Sequence, residues 1–137
     1  MKKDVGFNRM RYDCTLQGCF NIKKRPKIEI FADCFPRRCN FGDVDGLIEL
    51  GGNGLLLEWK PAPMELSTGQ LKTYRRLTVG RLLSVIVVAG DAEFMMATHR
   101  AGFVNGRWRD WKPATIDDVR RAMSAWAIWA EKNPRLG

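Results

Sequence analysis

Asp43-Val44-Asp45-Gly46-Leu47-Ile48-Glu49-Leu50-Gly51-Gly52-Asn53-Gly54-Leu55-Leu56-Leu57-Glu58-Trp59-Lys60 sets two largely apolar runs on either side of a glycine-rich centre. Residues 44–50 and 55–60 are apolar runs of strand length, and Gly51-Gly52-Asn53-Gly54 between them supplies residues that tolerate positive φ. A tight β-hairpin is expected. Side chains alternate along a strand, so Glu58 and Lys60 share one face while Leu57 and Trp59 take the other, and Asp43 and Asp45 likewise share a face. Charges that emerge only at one end of two apolar strands are either a solvated hairpin end or a site, because ionised carboxylates are rarely set beside buried strands without a cation or partner. Mg²⁺ or Mn²⁺ suits the second reading. Mg²⁺ keeps several waters and is usually held by one or two carboxylates plus substrate phosphate, so Asp45 and Glu58 suffice as protein ligands. Lys60 then orients or helps deprotonate an attacking water, or stabilises charge growing on the phosphate.

Asp45, Glu58-Trp59-Lys60 closing a hydrophobic strand, and Gln70-Leu71-Lys72-Thr73-Tyr74 on the next segment resemble, in that order, the PD-(D/E)XK nuclease superfamily and the Gln-x-x-x-Tyr motif of several of its branches. The similarity spans roughly residues 41–98 and is nearest to small VRR-NUC-like and Holliday-junction-resolvase-like nucleases. Val44 stands where the eponymous proline would precede the aspartate, which leaves Asp43 as an alternative to Asp45 for principal ligand. The resemblance implies a restriction-endonuclease-like α/β core, a central mixed sheet flanked by helices. It also implies that Asp45 and Glu58 bind Mg²⁺ or Mn²⁺ with the Trp59 carbonyl as a further ligand. Lys60 would act on the water, and Gln70 and Tyr74 would position Lys60 or contact the DNA backbone.

Each of the last two residues has a plainer explanation. Ser67-x-x-Gln70 is a capping box, and Leu71, Tyr74 and Leu77 form an apolar stripe at helical spacing. The same helix carries Lys72, Arg75 and Arg76 on its other face.

Upstream, Cys14-x4-Cys19 and Cys34-x4-Cys39 use every cysteine of the chain. Four thiolates are what a closed structural zinc site requires, so residues 14–39 are expected to form a zinc module; an Fe–S cluster, two disulfides and free thiols are the alternatives. Met1-Lys2-Lys3-Asp4 opens a polar segment with no apolar core, so the cytoplasm of a bacterial or phage-infected cell is the expected compartment.

The 137 residues suit one domain, and 45% hydrophobic content argues against disorder. A net charge of +8 suggests an anionic partner, since neutralising phosphates with Lys and Arg dominates non-specific nucleic-acid affinity. The basic clusters are Lys23-Lys24-Arg25 with Lys27, Arg37-Arg38, Lys72-Arg75-Arg76, and Arg107 and Arg109 interleaved with Trp108 and Trp111. Those tryptophans either stack on unpaired bases or pack a hairpin, and packing is the favoured reading. The single histidine, His99, leaves Ser-His-Asp and Cys-His chemistries little support. No apolar run approaches the ~20 residues of a membrane span.

The expected order of elements is a short strand at 27–31, the hairpin, a helix over 68–81, buried strand 82–89, strand 93–98, a second hairpin over 100–112 turning at Asn105-Gly106, and a helix from Thr115. That last helix places Ile116, Val119, Met123, Trp126 and Ala130 on one face. The function expected is hydrolysis of DNA phosphodiesters, either by a homodimer or on branched, nicked or single-stranded substrates. The alternatives are a non-catalytic zinc-containing nucleic-acid-binding protein on a nuclease-like scaffold and an interaction module encoded by a mobile element.

Overall fold

A computed structural model describes residues 28–36 and 44–135. The chain divides into two units, Met1–Gly42 and Asp43–Gly137. In the first, Ile28–Cys34 is a 3-10 helix, which corrects the strand expected at 27–31. A short apolar run carries no periodicity long enough to choose between the two forms, and a strand needs a neighbour to take its backbone bonds whereas i→i+3 bonds need none.

The second unit is α/β, built on a mixed five-stranded sheet. Its strands are β1 (Gly46–Leu50), β2 (Asn53–Lys60), β3 (Leu83–Asp91), β4 (Met96–Val104) and β5 (Arg107–Pro113), lying side by side in chain order. Every neighbouring pair is antiparallel except β2 with β3, which is parallel. A parallel pair cannot be closed by a tight turn, so the chain crosses over between them through α1 (Thr68–Thr78). The second helix, α2 (Ile116–Lys132), follows β5.

Local chemistry accounts for the joints. Gly51 and Gly52 at φ of 61° and 89° make the two-residue turn between β1 and β2, and Asn105 and Gly106 at 51° and 77° make the one between β4 and β5. Positive φ at both central positions matches the right-handed twist of the strands. Ser67 with Gln70 and Thr115 with Asp118 form capping boxes at the starts of α1 and α2. α1 stops earlier than the 68–81 expected, because β-branched Thr78 and Val79 lead into a short 3-10 turn in which Gly80 takes φ of 85°. The separate strand expected at 93–98 is instead the start of β4, with residues 92–95 forming the turn.

Because the pleat alternates, the sheet carries two cores. Leu56, Val85, Val87, Ala101 and Phe103 meet Leu66, Leu71 and Tyr74 of the α1 side. Leu55, Ile86 and Val88 meet Val119, Trp126 and Ala130 of α2. The continuous run through β3 is thereby explained. It is buried on both faces, as a central strand beside a crossover must be. Trp108 and Trp111 belong to the α1-side core, with Trp108 5.2 Å from the Phe103 ring and Trp111 Nε1 donating to the Met64 carbonyl at 3.0 Å. Among the described residues no helix is long and apolar enough to cross a membrane.

Candidate active site

The last residues of β2 run past the start of β1: β1 begins at Gly46, opposite Leu57, which leaves Glu58, Trp59 and Lys60 with no ladder partner on that side. Continuing the same register by one residue sets Asp45 across from Glu58, on the same face. The Asp45 side chain then does what a backbone carbonyl would have done. Its Oδ2 accepts the Trp59 amide at 2.6 Å. On the opposite face the Trp59 indole donates to the Gly90 carbonyl at 2.9 Å.

Above this end of β2 lies α1. Glu58 and Lys60 are two residues apart on a strand, about 6.7 Å, and Gln70 and Tyr74 are four apart on a helix, about 6 Å, so the two pairs match in length. The helix returns antiparallel to β2, so the pairs meet in crossed order. Tyr74 Oη donates to Glu58 Oε1 at 2.8 Å, and Lys60 Nζ donates to Gln70 Oε1 at 3.4 Å. Glu58 Oε2 lies 3.5 Å from Lys60 Nζ, and both side chains are largely buried, at 13% and 17% exposure. Asp45 is exposed at the rim.

The charges leave a mark on the phenol. Burial first, then the hydrogen bond to Glu58, then the negative charges of Glu58 and Asp45 push the Tyr74 hydroxyl well above its ordinary value, so it stays a neutral donor at physiological pH. Gln70 has two roles at once. Its side chain also accepts from the Ser67 amide at 3.4 Å as part of the capping box, so the cap and the contact to Lys60 share one oxygen.

Asp45, Glu58, Lys60, Gln70 and Tyr74 are thus brought together, at the carboxyl ends of the parallel pair β2 and β3. Crevices at that end of α/β sheets are where ligands bind most often. Among the described residues no group of three or more His, Cys, Asp and Glu side chains assembles. Two carboxylates are nonetheless an adequate donor set for Mg²⁺, which draws its remaining oxygens from water and phosphate. Asp43 and the cysteines Cys14, Cys19 and Cys39 lie outside the described residues, as do Arg37 and Arg38. Cys34 is exposed.

The other candidates are dispersed. Lys72, Arg75 and Arg76 are exposed on α1. Arg109 lines a groove on the α2 side of the sheet, away from Glu58, and Arg107 pairs with Val104, which lines the same groove. Glu49, the remaining acid of β1, accepts the Gly52 amide at 2.7 Å and closes the first turn. His99 Nδ1 lies 3.0 Å from Thr98 Oγ1. What sequence reasoning missed is the use of Asp45 as a backbone partner of Trp59. The signal was available, because a hairpin with a two-residue turn has a countable register, and counting it places 45 against 58. Comparison with protein-family models, with curated proteins and with solved structures gives no match.

Proposed function

We propose that this chain is a metal-dependent nuclease with a restriction-endonuclease-like core, hydrolysing phosphodiester bonds of DNA. The single observation that carries the reading is the convergence of Asp45, Glu58 and Lys60, with Gln70 and Tyr74, at one end of β2. Asp45 and Glu58 are the residues that would hold Mg²⁺ or Mn²⁺, with the Trp59 carbonyl and Asp43 as further oxygen donors. When bound, such an ion polarises the scissile phosphate and lowers the pKa of a coordinated water.

The protein's own groups have separable tasks. Tyr74, donating to Glu58 Oε1, fixes the carboxylate's rotamer and leaves that oxygen a second lone pair. Asp45 is fixed in the same way by the Trp59 amide. Lys60, held between Gln70 and Glu58, presents an ammonium where charge develops on the phosphate, and its contact with Glu58 keeps it at the site before substrate arrives. The exposed cations of α1, Lys72, Arg75 and Arg76, supply phosphate contacts that position the strand without reading its sequence. A chain of this size grips a short stretch of nucleic acid, so a homodimer or a branched, nicked or single-stranded substrate fits the reading. Zinc at the four cysteines would be structural.

A second reading has its own support: both Glu58 oxygens already face protein partners, so the cluster also makes sense as a closed polar seal on the end of β2 in a non-catalytic DNA-binding protein. Incubation with supercoiled, linear, single-stranded and branched DNA in Mg²⁺ or Mn²⁺ separates the two. Cleavage should vanish with EDTA and in Glu58→Gln and Lys60→Ala, with DNA binding retained. Binding without cleavage by the wild-type protein, or equal cleavage by all three proteins, would refute hydrolysis at this site.

A further inference from the structure

The α2 side of the sheet carries a groove of about 550 Å³, within the roughly 300–1,000 Å³ typical of small-ligand sites. Its floor is apolar, with Leu55, Ile86 and Met123 among the lining. Yet three side-chain polar atoms, Arg81 Nε, Ser84 Oγ and Trp126 Nε1, are buried there with no hydrogen-bond partner. They are the only such atoms among the described residues, and all three belong to residues lining this one groove. Ser84 is 3% exposed and Trp126 9%, so neither is turned to bulk water. A buried polar group without a partner costs about 1–3 kcal/mol, which makes three together in one apolar cleft unusual.

Cations surround the opening. Arg100, Arg109 and Lys112 line the groove, none with a carboxylate partner among the described residues, against the single acid Asp110, which already accepts from the Trp111 amide at 2.8 Å. An adjoining cleft of about 440 Å³ shares Arg100 and Lys112. Arg81 is held in place by its guanidinium lying 3.8 Å over the Trp129 ring.

We propose that this groove is a second binding site, for a nucleoside monophosphate group, with the base on the apolar floor and the phosphate at Arg100 and Lys112. An alkyl chain would fill the floor but leave the buried donors unmet. Covering side chains must shift for a heteroaromatic base to offer acceptors to Trp126 Nε1 and Arg81 Nε and either partner to Ser84 Oγ, since all three atoms are buried, while the rim cations suit a phosphate without rearrangement. The site is separate from Glu58 and Lys60, which lie on the α1 side, and it stands whether or not that cluster hydrolyses DNA.

The test is titration of the full chain with dAMP, deoxyadenosine, inorganic phosphate and a short single-stranded oligonucleotide, followed through tryptophan indole NH resonances. Trp126→Phe assigns its resonance by deletion. The expected result is a saturable shift of the Trp126 indole with dAMP at a Kd in the region of ~0.1 mM, weakened about tenfold or more in Arg100→Glu/Lys112→Glu. Deoxyadenosine and phosphate should each bind more weakly. Both substituted residues lie at the groove's opening, and a thermal transition matching wild type shows the fold kept. A tighter response to the oligonucleotide than to dAMP assigns the group to a strand, and the reverse to a free nucleotide. A Trp126 resonance unmoved by either, or a response unchanged by the double charge reversal, overturns the proposal and leaves a hydrated groove.

Discussion

Replacing Tyr74 by phenylalanine removes one oxygen and keeps the ring, whose centroid lies 5.9 Å from that of Phe103, so the packing of the α1-side core is retained. What is lost is the 2.8 Å donation to Glu58 Oε1, a hydrogen bond to a largely buried carboxylate. Bonds to charged groups contribute about 1.5–3 kcal/mol, so the variant should be less stable by about 2 kcal/mol at pH 7. The pH dependence makes the test specific. In the unfolded chain Tyr74 ionises near its ordinary value of 10.0, whereas in the folded protein burial and the charges of Glu58 and Asp45 hold the proton on. Above that pH the folded state therefore binds one more proton than the unfolded state. Wild-type stability then falls by about 1.4 kcal/mol per pH unit from this group alone, and the Tyr74→Phe variant has no phenol there to titrate. Denaturant unfolding of both proteins between pH 7 and about 11.5 should show a gap that is constant to about pH 9.5 and narrows above it, as the unfolded phenol ionises. Parallel curves across that whole range, or equal stabilities at neutral pH, would refute the placement of the phenol against Glu58.

Ser67→Ala and Gln70→Ala each break the capping box and should each cost about 1 kcal/mol in thermal or chemical unfolding. Only Gln70→Ala also removes the contact to Lys60, so DNA cleavage assays should distinguish the two variants, and equal rates would assign Gln70 to capping alone. Asn53→Ala should cost about 2–3 kcal/mol in urea denaturation, because fully buried Asn53 bonds the Asn133 carbonyl at 3.0 Å and accepts from Arg135 Nε at 2.6 Å, leaving several groups unmet. Gly90→Ala should cost about 3 kcal/mol by the same measurement: φ is 152° and a Cβ there would meet the Met96 carbonyl, at the irregularity between β3 and β4.

Much of the α/β unit was legible because its signals are local. Gly51-Gly52 and Asn105-Gly106 demanded turns of one hand, Ser67 and Thr115 announced helix starts, and the stripe through Val119, Trp126 and Ala130 named the buried face of α2. The Val- and Ile-rich run expected as a buried strand over 82–89 is β3, covered on both faces. Where local signals were weak the expectation failed, as at Ile28–Cys34, whose apolar alternation is too short to choose a period, and at Met96, where β4 begins inside a stretch with no strong punctuation. Asn53 was read as a turn residue. It is a buried link to the C-terminal end of α2, and its partners lie about eighty residues away, where no local pattern reaches.

The candidate site divides the same way. Strand alternation alone set Glu58 and Lys60 on one face, because neighbouring side chains on a pleated backbone must point apart. That Tyr74 meets Glu58 and Gln70 meets Lys60 depends on the crossover laying α1 antiparallel over β2, a matter of how the two cores close on the sheet. The groove beneath Arg100 and Lys112 belongs wholly to the second category. Arg81, Ser84 and Trp126 are separated in sequence, and only packing α2 across the sheet encloses them in one apolar cleft, since burial is a property of the assembled layers and not of any residue's neighbours along the chain.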